Sequence, residues 1–197
     1  SMAMHKSEEF AETSMVVFEQ LLHLGVKPTR LFIGIFKKNN SDVEAWATNE
    51  DGTKIGSKFT LNTKENSTVQ KMYDSWEQKK KSVHFDMQGK ELEDYFHYLS
   101  DKINIQLQSG LSQKRRVQTL AFFSSGVIGM ASTEEQPEES TRLLERFAAV
   151  FNLTYTRFND LKIAEAQSLK AEKDLIQIKN ARQEAENSLL ELQSTQK

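Results

Sequence analysis

The chain has no cysteine. Disulfides, thiolate metal sites, a cysteine nucleophile and any thioether-linked chromophore are therefore excluded. No apolar run approaches the roughly 20 residues that span a bilayer, and Ser1 to Lys6 does not read as a signal peptide. Both absences point to a cytoplasmic protein outside the membrane. Charge of one sign is also missing: 26 Lys and Arg against 28 Asp and Glu leave a formal charge of -2. Phosphate backbones are held by clustered basic surface, so nucleic acid is not an expected partner. Proline occurs only twice and glycine eight times, and neither appears from Glu138 to Lys197. No aromatic residue follows Phe158, whereas all 12 Phe and both Trp lie at or before it. The last 39 residues are thus compositionally unlike the rest, and a 197-residue chain reads as one domain plus an extended element. Ser1 before Met2 reads as a cloning remnant, and the polar C-terminus as the cut end of a longer protein.

What is present is well patterned. A first helix is expected from Ser7 to Leu24, with Ser7 as N-cap, Glu8 and Glu9 in the first turn, an apolar stripe of Phe10, Met15, Phe18, Leu21 and Leu22, and a stop at Gly25 and Pro28. Arg30 to Lys37 alternates Leu31, Ile33 and Ile35 with Phe32 and Phe36, the mark of a central strand covered on both faces. Strands over Val43 to Thr48 and Lys54 to Leu61, joined by an Asp51-Gly52 turn, complete an antiparallel meander. Asn66 to Lys81, with Val69, Met72, Tyr73 and Trp76, reads as an amphipathic helix ending in a lysine-rich turn. Ser82 to Met87 alternates as a strand does, and Lys90 to Ile105 carries Leu92, Tyr95, Phe96 and Leu99 at helical spacing. Arg116 to Phe123 and Gly126 to Ser132 form a hairpin around Ser124-Ser125.

From Glu138 nothing stops a helix before Lys197, a length of roughly 90 Å at 1.5 Å per residue. Its first part, with Phe147, Val150, Phe151, Thr154 and Phe158, is rich enough in large side chains to pack on its own domain. Beyond it a seven-residue repeat places Leu161, Ser168, Leu175, Arg182 and Leu189 at a, and Ala164, Ala171, Ile178, Ala185 and Leu192 at d. This seam predicts a homodimer through the C-terminal helix. Ser168 and Arg182 weaken it, and the two-state element of a relay is expected there.

The stretch FFSSGVIGMASTEEQPEESTRLLERFAAVFNLTYTRF, Phe122 to Phe158, resembles the last hairpin and exit helix of a GAF domain, with Phe147-Ala148 in the place of a phenylalanine-alanine pair. The likeness covers Ser7 to Phe158, with Asn62 to Lys114 matched by element order alone. MAMHKSEEF and ENSLLELQSTQK are similar to the linkers around such domains in bacterial sensor histidine kinases. The resemblance implies an α+β fold: an antiparallel sheet with helices packed on one face, a pocket roofed by the variable middle segment, and a long C-terminal coiled-coil helix. It divides the chain into a remnant (1–6), a sensory domain (7–158) and a signalling coiled coil (159–197). It further implies a regulatory module of a two-component system that senses a small molecule or partner and passes the change to a downstream kinase domain. A ligand-free dimerising spacer is the alternative.

No ligand or cofactor is named by the sequence. The missing cysteine rules out a covalent bilin, and the N-K-x-F-x-x-x-D-E signature of cyclic-nucleotide binders is not found. Candidate pocket residues are Trp46, Phe85, Tyr95, His97 and Phe122, aromatic or amphipathic side chains suited to stacking. Neither His84 with Asp86 nor His97 with Glu93 and Asp94 makes a full ligand set, so no metal is expected. None of the four histidines has the flanks of a kinase phosphoacceptor, and there is no phosphate loop, so the chain is not expected to be an enzyme. Lys79 to Lys81 and Lys114 to Arg116 read as solvated ends of elements.

Overall fold

In the computed structural model, which describes residues 12, 15–50, 54, 56, 58–103 and 112–196, the Arg30–Ile35 strand (β1) lies at the centre of the sheet. It pairs antiparallel on one side with β2 (Asp42–Ala47) and on the other with β6 (Gly126–Ser132). β3 (Phe59–Asn62) extends the first side, while β5 (Arg115–Phe123) and β4 (Ser82–Gln88) extend the second, giving a six-stranded antiparallel sheet in the order β3-β2-β1-β6-β5-β4. The fold is α+β. The chain divides into two compact units, Ser1–Asn152 and Leu153–Lys197.

Alternation along the strands separates two apolar faces. One face presents Phe32 and Phe36 of the β1 segment, Val43 and Ala45 of β2, Leu120 of β5 and Val127 of β6, and it is covered by α2 (Ser67–Glu77) and α3 (Gly89–Lys102) through Val69, Met72, Leu92, Tyr95, Phe96 and Leu99. The other face presents Leu31, Ile33, Ile128, Met130 and Phe123, all buried. On that side the opening turns of α4 (Glu138–Ser194) meet the sheet: Phe151 packs edge-on to Phe123 at 5.0 Å, Glu145 accepts a bond from Ser82 at 2.7 Å, and Thr141 lies 3.4 Å from His84. Lys81, beside β4, completes the attachment with a 3.1 Å ion pair to Glu145.

Two helix ends show how local chemistry sets boundaries. Asn66 caps α2, its Oδ1 accepting from Thr68 N and Val69 N at 2.9 and 3.2 Å. At the other end the helix stops at Glu77, four residues earlier than the sequence pattern predicts, so Lys79 to Lys81 are not in its last turn. Lys79 takes a left-handed conformation (φ 56°), with its N–H donating to Trp76 O at 2.9 Å and the Lys80 N–H to Ser75 O at 3.1 Å. This is the paired closure that glycine usually makes after a helix, and at the end of helix α1 (residues 15–23) Gly25 does make it. Because a side chain strains that backbone, Lys79→Gly should raise stability by about 0.5–1 kcal/mol, measured by urea unfolding.

Other boundaries and faces shift as well. β3 begins at Phe59 rather than Lys54, although Gly56 N still bonds to Ala47 O at 2.9 Å. In α1 the buried set is Val17, Phe18 and Leu21, whereas Met15 and Leu22 are exposed, so the helix presents a face turned towards Val17. In α4 Phe151 is buried as expected, but Val150 is exposed and Leu144 and Ala148 take the inner positions. The third helix stops at Lys102, capped by an extended Ile103, short of the expected Ile105; Ser7, Glu8, Glu9, Phe10, the Asp51-Gly52 turn, Asn104 and Ile105 lie outside the described residues. Among the described residues no helix is long and apolar enough to cross a membrane.

Candidate functional site

Between the sheet and its α2–α3 cover lies a cavity of about 40 Å³. Most of its lining is apolar: Phe32 and Gly34 of β1, Ala45 of β2, Val69 of α2, Leu99 of α3 and Val127 of β6 all contribute. Two arginines are set among them, Arg30 at the start of β1 and Arg116 near the start of β5. Both are buried, 5% and 4% exposed.

The sheet register explains how two long cations reach one space. Arg30 pairs with Ala131, and Ala131 pairs on its other side with Gln118, so the three stand in one row across β1, β6 and β5. The small central residue leaves room above it for its neighbours. Arg116 is two residues before Gln118 and therefore on the same face. Arg115, one residue earlier, turns to the opposite face and forks onto Asp86 with bonds of 3.0 and 2.8 Å. Adjacent arginines thus have opposite fates, one solvated and paired, the other buried.

Pairing inside the cavity is incomplete. Gln118 Nε2 donates to the Tyr95 hydroxyl at 3.0 Å, which leaves the phenolic proton free to be donated. Arg116 bonds weakly to Gln113 Oε1 at 3.5 Å and lies 5.1 Å over the ring of Phe96. The nearest carboxylate to Arg30 is that of Glu50, 4.0 Å away and 49% exposed. Among the described residues Arg116 has no carboxylate partner, and Arg30 Nη1, Arg116 Nε and Gln118 Oε1 are buried without a hydrogen bond. Burial pushes the Arg116 guanidinium down to about 10, with Tyr95 opposing and Arg30 adding to the shift, so it stays charged at neutral pH. Burial also lowers Arg30 and raises the Tyr95 phenol. A buried unpaired guanidinium is costly, and such groups are ordinarily matched by an anion.

No family model, no curated protein and no solved structure matches the chain. The site therefore rests on its own geometry.

Of the five aromatic and amphipathic candidates, the structure brings only Tyr95 to the cavity. Phe85 and Phe122 lie on the same face of the sheet but pack at its edge, partly buried. Trp46 alternates to the opposite face, where it is buried, and His97 sits on the exposed side of α3. His84 stands between Thr119, at 3.3 Å, and Thr141, while its proposed companion Asp86 is engaged by Arg115. Among the described residues no three His, Cys, Asp or Glu side chains come together as a metal site.

Arg116 corrects the expectation that Lys114 to Arg116 is a solvated end. The signal was available in the alternation. Leu120 and Phe122 face inward, and continuing that face backward by steps of two reaches Gln118 and then Arg116. A polar residue on the inward stride of an otherwise apolar strand marks either a satisfied network or a ligand.

Proposed function

We propose that the chain is a sensory module of GAF type, without catalytic activity of its own, that takes a small molecule beneath α2 and α3 and relays its presence through the long helix to a downstream kinase domain. The observation that carries this reading is the cavity with two buried, incompletely paired guanidiniums, roofed by the middle segment of the chain. A lining that is apolar except for a few convergent polar groups is the ordinary character of a small-molecule site, here in a space of about 40 Å³, below the few hundred Å³ such sites usually have. The same sheet carries α4 on its opposite face through His84, Ser82, Lys81, Phe123 and the Ser124–Asn152 bond. Movement of β5 on binding is thereby coupled to the start of the exit helix, and the coupling is bounded by the difference in ligand affinity between two packings.

The second unit supports the relay. Along Leu153–Lys197 the helix exposes Leu161, Leu175, Ile178, Leu189 and Leu192, while Ala164, Ser168, Ala171, Arg182 and Ala185 occupy the remaining seam positions and are likewise exposed. Most helical stability in proteins comes from packing an apolar stripe rather than from propensity, so a seam left in water is stabilised by a second copy. Sedimentation equilibrium should therefore show a dimer at micromolar concentration, with the helical signal melting at a temperature that rises with concentration. A monomer across that range would remove the relay and with it the sensory reading.

A further inference from the structure

Resting on the sensory reading, we propose that the ligand is a small carboxylate, its two oxygens held by Arg30, Arg116 and Tyr95 and its short apolar body lying against Phe32, Val69 and Leu99. The charge balance favours one negative charge. Two guanidiniums are buried, Glu50 stands 4.0 Å from the first, and among the described residues the second has no carboxylate partner, so one positive charge is left over. Around the cavity the donors left to bond are Arg30 Nη1, Arg116 Nε and the Tyr95 hydroxyl, against one unbonded acceptor, Gln118 Oε1, so donors outnumber acceptors by three to one. A carboxylate accepts charge-assisted bonds from all three, whereas a cation would be repelled and a neutral amide would leave the excess charge in place. A phosphate brings more charge and more oxygens than these donors can match, against walls that are otherwise apolar.

Size sets the body. A cavity of about 40 Å³ holds little more than the carboxylate group itself, since a water takes about 30 Å³ and benzene needs about 150 Å³, so the body must be short and each added carbon has to displace α2 or α3. Those helices are tied down at their edges: Trp76 Nε1 donates to Phe123 O at 3.1 Å, and the Tyr98 hydroxyl accepts from Asn62 N at 2.7 Å. The notch at Gly129 matters here as well. A Cβ at that position would fall on the far end of the Phe32 ring, so glycine makes room on β6 for a ring that lines the cavity.

Isothermal titration of the whole chain with sodium acetate, butyrate and octanoate, with butyramide as the neutral isostere and inorganic phosphate as the competing anion, tests the assignment. Butyrate should bind at least about tenfold more tightly than butyramide, phosphate or octanoate. Arg116→Met should weaken butyrate by at least about tenfold while leaving the ligand-free unfolding midpoint equal to or above that of the parent, because it removes an unmatched buried charge and keeps the volume. Arg30→Met should act in the same direction, and Arg116→Lys, which keeps the charge and loses the fork, should fall between. Equal affinity for butyramide, unchanged butyrate binding in Arg116→Met, or no binding of any carboxylate overturns the proposal. So do tighter binding of phosphate or octanoate, and a lowered midpoint in both methionine variants, which would make the guanidiniums structural. These outcomes leave the dimeric relay standing, since that falls only to a monomer in the ultracentrifuge.

Discussion

Gly126→Val should lower stability by about 3 kcal/mol or more, the largest loss expected from any single methyl-bearing substitution in the hairpin. Gly126 opens β6 directly opposite Ile35, and a Cβ built on it falls inside the Gly34 carbonyl oxygen and 3.1 Å from Ile35 Cα. Those are main-chain atoms of the central strand, so no rotamer change relieves the overlap. The strands must separate at the end of the ladder where Phe36 N also bonds to Ser125 O at 2.8 Å. For a domain of this size the loss corresponds to a midpoint lower by roughly 6–12 °C. Ser125→Ala, one residue earlier in the turn, is the control and should change stability by no more than about 0.5 kcal/mol. A Gly126→Val variant as stable as the parent would mean that β1 and β6 do not pair in this register.

The same pair of strands shows what a sequence reveals and what it withholds. Alternation of Leu31, Ile33 and Ile35 with Phe32 and Phe36 is enough to predict a central, doubly covered strand, and that is the place β1 occupies. The hairpin around Ser124-Ser125 and the helix beginning at Glu138 were equally legible, because period and punctuation are local properties. The neighbour relation between β1 and β6 is not local. Without it nothing brings Arg30 next to Gln118 and Arg116, which are 88 and 86 positions away along the chain and meet only through Ala131.

Residue type misled in a second way. Arginine is usually solvated, so a basic pair at a strand end reads as surface, and Arg115 fulfils that reading through Asp86. Arg116 does not, because strand geometry gives adjacent residues opposite faces whatever their chemistry. Aromatic side chains misled in the converse sense. Trp46, Phe85 and Phe122 suit a binding site by type, yet large apolar groups are also what a sheet needs to fill the space under its helices, and packing claims them first. Tyr95 lines the cavity because its helix crosses the row of Gln118, to which its hydroxyl is bonded.

Replacing Ser168 and Arg182 together by leucine should tighten the dimer by about a hundredfold or more. Both stand at a positions between otherwise apolar layers, and Arg182 directs its guanidinium along its own helix to Glu186 at 3.3 Å rather than offering apolar surface. Each leucine newly buried in a seam contributes about 1.5–3 kcal/mol, and four are buried per dimer, so even with half that gain lost to imperfect packing the association strengthens by more than about 3 kcal/mol. Polar residues at a also restrict register and strand number at a cost in stability. Their removal should therefore let trimers or tetramers appear beside the dimer, because Leu175 and Leu189 then belong to an unbroken leucine row facing Ile178. Sedimentation over a dilution series measures both effects. An unchanged dissociation constant with no larger species would show that the helices do not meet along this seam, and the place proposed for the two-state element in the relay would have to be sought nearer the attachment of α4 to β4 and β5.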